Sequence, residues 1–97
     1  MTNQIVVEVT EADWLAGIEA CDVQKLRPSK NCPLAQALKR VVPGFDHCVA
    51  NSAMVQHKLI ALPSEPARIV NAFDSRHSEF CRVAKPAFPV TFTLSLA

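Results

Sequence analysis

Glycine is scarce in this chain, with only two among its 97 residues. Glycine-rich phosphate loops and dinucleotide-binding turns need several glycines at fixed spacing, so both classes of nucleotide fingerprint are excluded. No apolar run approaches the roughly 20 residues needed to span a bilayer, and the first residues lack the basic start and apolar block of a signal peptide. We therefore expect a cytoplasmic protein without membrane contact.

An excess of charge of one sign is also missing, since ten Lys and Arg residues oppose nine Asp and Glu residues and leave a net charge of +1. Such a chain has no overall field to attract nucleic acid, so we expect no duplex DNA partner. Hydrophobic residues make up 49% and charged residues 20% of the chain, which is typical of globular proteins. At this length we expect a single domain, residues 1–97, with one modest core.

The clearest local signal is the start of a helix at Cys32 and Pro33. Proline suits the first helical position, which makes Cys32 the predicted N-cap, with Asn31 as the competing cap. Apolar residues then recur at spacings of three and four, and Pro43-Gly44 ends the helix. The residues of this apolar stripe are Leu34, Ala35, Leu38, Val41 and Val42.

Ahead of this helix the sequence predicts a strand and a short helix. Residues Gln4 to Val9 are rich in β-branched side chains and roughly alternate in polarity. Thr10 with Asp13 three residues later is a loose capping box, and Trp14, Leu15 and Ile18 would share one side of the helix that follows. Residues 19–30 have no sustained period, and Arg27-Pro28-Ser29-Lys30 is predicted to be loop.

After Gly44 the sequence predicts a hairpin, from Phe45 to Ala50 and from Met54 to Leu62, joined at Asn51-Ser52. A helix capped by Ser64 should follow and stop near Asp74-Ser75. Alternation of apolar and polar residues then predicts a last strand from Val90 to Leu96. These elements indicate an α+β fold, with an antiparallel sheet of about four strands covered on one face by two to three helices.

The four cysteines are too far apart in sequence to present two thiolates from one turn, so we expect no metal site and read them as free thiols. Cys32 is the most interesting, because a helix N-terminus stabilises a thiolate. It would act as a nucleophile only if His47, His57 or His77 lay within hydrogen-bond reach. The alternative is a cysteine that caps or packs under the helix. No acid/base pair, catalytic residue or cofactor is assigned.

Basic residues close to helix starts are the other candidates for a site. Arg27 and Lys30 lie just ahead of the predicted helix, and Asn31 and Cys32 lie at its start. The backbone N–H groups at this end of the helix would point outward and could bind an anion. Arg68 belongs to a second basic group. We expect these five residues to contact an anionic ligand. The alternative interpretation of both groups is a solvated surface.

Several short motifs lie along the chain: Val9-Thr10-x-Ala12-Asp13, Cys32-Pro33-Leu34-Ala35-x-Ala37-Leu38, Leu62-Pro63 and Phe73-Asp74. Together these motifs resemble those of small uncharacterised proteins encoded by bacteriophages and prophages. This chain differs in having Ser75-Arg76 where a glycine turn is expected. The resemblance implies a setting, the cytoplasm of an infected bacterium, and assigns no activity.

Three functional hypotheses follow from the sequence. The first is a non-enzymatic homo-oligomer that counters host defence by sequestering a nucleotide-derived signal. The second is an interaction protein that binds a host protein through an exposed strand edge or helix face. The third is a thiol enzyme that uses Cys32.

Overall fold

A computed structural model describes residues 4–96 and shows an α+β fold, which confirms the predicted class. The helices of this part of the chain are α1 Glu11–Ile18, α2 Pro28–Asn31, α3 Pro33–Val41 and α4 Ser64–Asp74. Its strands are β1 Gln4–Val9, β2 Phe45–Cys48, β3 Ser52–Val55, β4 Lys58–Ala61 and β5 Val90–Ser95. Within residues 4–96, no helix has both the length and the apolar character needed to cross a membrane.

The strands form two small antiparallel sheets, of two and three strands, and not the single sheet of about four strands that the sequence predicts. Strand β1 pairs only with β5, in a register that places Gln4 opposite Ser95 and Val9 opposite Val90. Strands β2, β3 and β4 form a separate meander in that order. The predicted first and last strands are therefore present, but they pair with each other.

The strand predicted from Met54 to Leu62 is divided by a turn at Gln56 and His57. These two residues have φ angles of 50° and 65°, in the left-handed region that two-residue hairpin turns of the primed types require. Such turns normally carry Asn or Gly, and neither is present here. No residue preference therefore indicates this turn, and the structure has two strands, β3 and β4, where the sequence predicts one.

Helix α3 begins and ends as predicted. Cys32 is its N-cap, with its Sγ accepting the N–H of Ala35 at 3.5 Å, and the helix stops at Val41 just before the Pro43-Gly44 turn. Gly44 has a φ of 77°, which suits glycine. Most of the predicted stripe is buried, so α3 supplies the centre of the core.

Helix α1 also begins as predicted, with a complete capping box between Thr10 and Asp13. It continues into a π-helical turn, Glu19–Val23, for which the sequence predicted no element. The loop predicted from Arg27 to Lys30 is wrong, because α2 lies there. Leu15 is exposed and does not share the buried face with Trp14, so that part of the prediction is wrong. Gly17 lies inside this packing, because a Cβ there would come within 2.8 Å of the Pro33 ring.

One ion pair joins the two central helices. Asp13 is only 4% exposed, and both of its carboxylate oxygens accept bonds from the Arg40 guanidinium, at 2.7 and 3.1 Å. The same guanidinium donates to the backbone carbonyl of Glu8 at 2.9 Å. The start of α1, the end of α3 and strand β1 are thereby held together around one buried carboxylate.

Candidate functional site

The N-terminus of α3, where an anion was expected, lies inside the core. Cys32 is 2% exposed, and Pro33, Leu34 and Ala35 are buried behind it. The close approach of Gly17 to Pro33 brings α1 against this end of α3. Its amides therefore do not face solvent, and the geometric reason for placing an anion there is lost.

The neighbouring predicted residues are engaged with one another on the surface. The Asn31 side chain donates to the carbonyl of Arg27 at 2.9 Å and accepts from the Lys39 ammonium at 3.1 Å. Lys30 lies 3.5 Å from the carboxylate of Asp46. Asn31 therefore serves mainly to hold α2 against α3, and part of the positive charge of this group is compensated.

Arg68 lies in a different place, a cleft of about 470 Å³ at the start of α4. We call this the Arg68 cleft. Its lining combines one cation, one carboxylate, one hydroxyl and an apolar wall. The lining residues are Ser64, Glu65, Arg68, Pro86, Ala87 and Val90.

The start of α4 is open in a way that the start of α3 is not. Pro63 is the N-cap and makes no side-chain cap bond, and the predicted cap Ser64 instead donates its hydroxyl to Glu65 Oε1 at 3.1 Å. The first four residues of a helix, counted from the N-cap, have no intrahelical acceptor for their N–H groups. In α4 two of these four residues, Pro63 and Pro66, are prolines and have no N–H to donate. The remaining two donors belong to Ser64 and Glu65, both in the cleft.

A contact that the sequence analysis missed joins Cys32 to Cys48. Both residues line one small cavity, and the closeness of the two thiols lowers the pKa of Cys32 and raises the pKa of Cys48. Cys48 ends β2 and is 3% exposed. Sixteen positions of sequence separate the two residues, so only the packing of α3 on β2 brings them together.

Two of the three histidines lie against carboxylates, and His57 belongs to the turn between β3 and β4. His47 Nδ1 lies 2.8 Å from Asp46, and His77 Nε2 lies 3.3 Å from Asp22. Cys32 Sγ accepts the backbone N–H of Ala35 in its own helix, and the titratable side chain beside it is Cys48. In the described part of the chain, no group of three or more His, Cys, Asp or Glu side chains could hold a metal ion.

The segment that follows α4 presents an aromatic side chain to solvent. Phe80 is 93% exposed. The backbone around it is held by serine side chains, because Ser78 Oγ accepts from the N–H of Cys81 at 2.9 Å and Ser75 Oγ accepts from the N–H of Val83 at 2.8 Å. We call residues 75–83 the Phe80 loop.

Comparison of the chain with family models, with curated proteins and with solved structures finds no match.

Proposed function

We propose that this protein is a non-enzymatic binding protein that captures a small nucleotide-derived anion in the Arg68 cleft. The observation that carries the proposal is the position of Arg68 beside the uncapped start of α4. Of the residues predicted to bind an anion, Arg68 is the one that lines a cleft of this size. A volume of about 470 Å³ is within the range of roughly 300–1,000 Å³ that small-molecule sites occupy.

The lining of the cleft suits both halves of a nucleotide. A guanidinium binds a phosphate through two parallel hydrogen bonds, and the N–H groups of Ser64 and Glu65 add donors at the positive end of the helix dipole. The carboxylate of Glu65 would repel a simple anion, but it accepts hydrogen bonds from the exocyclic N–H groups of a base. Pro86 and Val90 supply an apolar surface for the base.

The same lining argues for binding without chemistry. The cleft contains no cysteine, histidine or lysine, and the Ser64 hydroxyl bonds only to the exposed carboxylate of Glu65, a weaker base than the histidine or lysine that usually activates a serine nucleophile. A protein that only binds its ligand removes it from solution in proportion to its own amount. Sequestration of a host signal, in the cytoplasm of an infected bacterium that the resemblance implies, is the corresponding role in our proposal.

Self-association is part of this proposal. Strand β4 lies at the edge of the three-stranded sheet, and its Leu59 is 70% exposed. An open strand edge with an exposed apolar side chain is a template for pairing with another chain. Sedimentation velocity of the wild type and of a Leu59→Lys variant tests this, since the substitution should shift the protein towards the monomer.

Calorimetric titration with a panel of cyclic and ADP-ribose-type nucleotides tests the binding site. We expect one member of the panel to bind the wild type, and Arg68→Ala to weaken that binding by about 10- to 100-fold, since hydrogen bonds to charged groups contribute about 1.5–3 kcal/mol. Arg82→Ala, an exposed arginine outside the cleft, is the matched control and should bind normally. Silence across the panel, or equal weakening in both variants, would refute the assignment.

The exposure of Phe80 favours a second function, binding of a host protein. An aromatic side chain held in solvent by an ordered loop is typical of the anchor residues that dominate protein interfaces. Capture of a defined partner by the wild type and by Leu15→Ala, but not by Phe80→Ala, would support this function. Equal capture by all three proteins would count against it.

A further inference from the structure

Cys32 and Cys48 line the same small cavity. The cavity measures about 130 Å³ and is lined by the start of α2, the connection after β2 and the end of α4. We call it the thiol cavity. Of its other lining residues, Val49 is 52% exposed, so the cavity lies directly beneath the surface although both cysteines are almost fully buried. A water molecule occupies about 30 Å³ in the liquid, so the space suffices for a molecule of two heavy atoms.

The two thiols are not equivalent. Cys32 Sγ accepts the N–H of Ala35 in the first turn of α3, a bond that favours the thiolate at the positive end of the helix dipole. Within residues 4–96 no N–H group donates to the Cys48 sulfur, and the neighbouring Cys32 sulfur and burial raise the pKa of Cys48. Cys32 is therefore the stronger nucleophile, and Cys48 is the thiol that keeps its proton.

We propose that Cys32 and Cys48 form a peroxide-reactive dithiol that closes to a disulfide across the thiol cavity. The Cys32 thiolate attacks one oxygen of hydrogen peroxide, the O–O bond breaks, and the departing hydroxide takes up a proton and leaves as water. The sulfur of Cys48 then attacks the sulfenic sulfur of Cys32, the S–O bond breaks, and the hydroxyl leaves as water with the Cys48 proton. In total, two thiols and one peroxide give one disulfide and two waters, with two electrons passing to the peroxide.

The other cysteines provide internal comparisons. Cys81 is exposed, and it lies in the Phe80 loop away from the cavity lining. Cys21 is buried, and burial raises the pKa of its thiol. If accessibility alone decided the order, Cys81 would be oxidised first. The proposal instead predicts that the free thiols of Cys32 and Cys48 are lost together.

Peptide mapping of the native protein tests the proposal without any substitution. The chain is treated with limiting hydrogen peroxide, its remaining thiols are alkylated in denaturant, and it is digested with trypsin. Each cysteine falls in its own tryptic peptide, with Cys32 in residues 31–39 and Cys48 in residues 41–58. We expect these two peptides to be joined within one chain and to separate on reduction. Recovery of both as alkylated peptides after Cys81 has been oxidised would overturn the proposal.

Variants test the order of the two steps. Cys81→Ser should form the same cross-link as the wild type. In Cys48→Ala, once circular dichroism has shown that it is folded, the sulfenic acid on Cys32 should persist and be trapped by dimedone. If the folded Cys48→Ala protein forms no dimedone adduct on Cys32, then Cys32 is not the thiol that attacks the peroxide.

Discussion

Replacing Asp13 by alanine should destabilise this protein far more than replacing the other acidic residue in the first turn of α1. Asp13 completes the capping box, and its loss should cost about 1 kcal/mol. It also accepts two bonds from Arg40, and charge-assisted hydrogen bonds contribute about 1.5–3 kcal/mol. Because Arg40 is half exposed, its charge would be solvated in the variant, so the cost stays below the 3–5 kcal/mol or so of a fully buried pair.

We therefore expect Asp13→Ala to lower the free energy of unfolding by about 2–3 kcal/mol, a fall in Tm of roughly 10–20 °C for a domain of this size. Glu11→Ala is the matched control, because Glu11 pairs with Lys85 on the surface and such pairs contribute about 0–1 kcal/mol. Urea unfolding followed by the fluorescence of the single, buried Trp14 gives both values. Equal destabilisation by the two substitutions would refute the assigned role of the Asp13–Arg40 pair.

Three further predictions concern stability. The Arg76 guanidinium bonded to Asp22 lowers the pKa of this carboxyl from 3.8 to about 2. Its contribution is complete above pH 3.8 and is lost as the pH falls towards 2, so Asp22→Asn should flatten the pH dependence of Tm in that interval. Gly17→Ala should lower stability by about 1–3 kcal/mol in urea unfolding, because the new Cβ overlaps Pro33; a neutral or stabilising result would contradict the close packing. His57→Gly should raise stability by about 1 kcal/mol in the same assay, because it relieves a left-handed conformation; destabilisation would show that the His57 side chain makes a contact of its own.

Capping residues, prolines and glycines in the sequence were sufficient to predict where α1 begins and where α3 begins and ends. The bounds of α3 follow from the proline after Cys32 and from Pro43-Gly44, since each of these residues acts on its own backbone. The π-helical turn escaped prediction because burial of Ala20 and Cys21, and not a residue preference, accompanies it. The exposed turn at Gln56 and His57 escaped prediction because the pairing of β3 with β4 sets its conformation, and neither residue prefers positive φ.

The candidate site was less accessible to sequence reasoning for a related reason. Cys32 was recognised as a cap, but its burial depends on the approach of α1 to Pro33, a contact between distant segments. Its pairing with Cys48 depends in the same way on where α3 meets β2. Arg68 was singled out as a basic residue close to a helix start, and only the fold shows that Pro86, Ala87 and Val90 complete a cleft around it.

The two sheets differ in the sequence separation between the strands that pair. The meander of β2, β3 and β4 closes within residues 45–61, whereas the ribbon of β1 and β5 joins positions 4 and 95. Closing a longer loop costs more chain entropy, and contacts distant in sequence slow folding. The meander and α3 can thus assemble first during refolding, and the β1–β5 ribbon closes last, when nearly the whole polypeptide is in place.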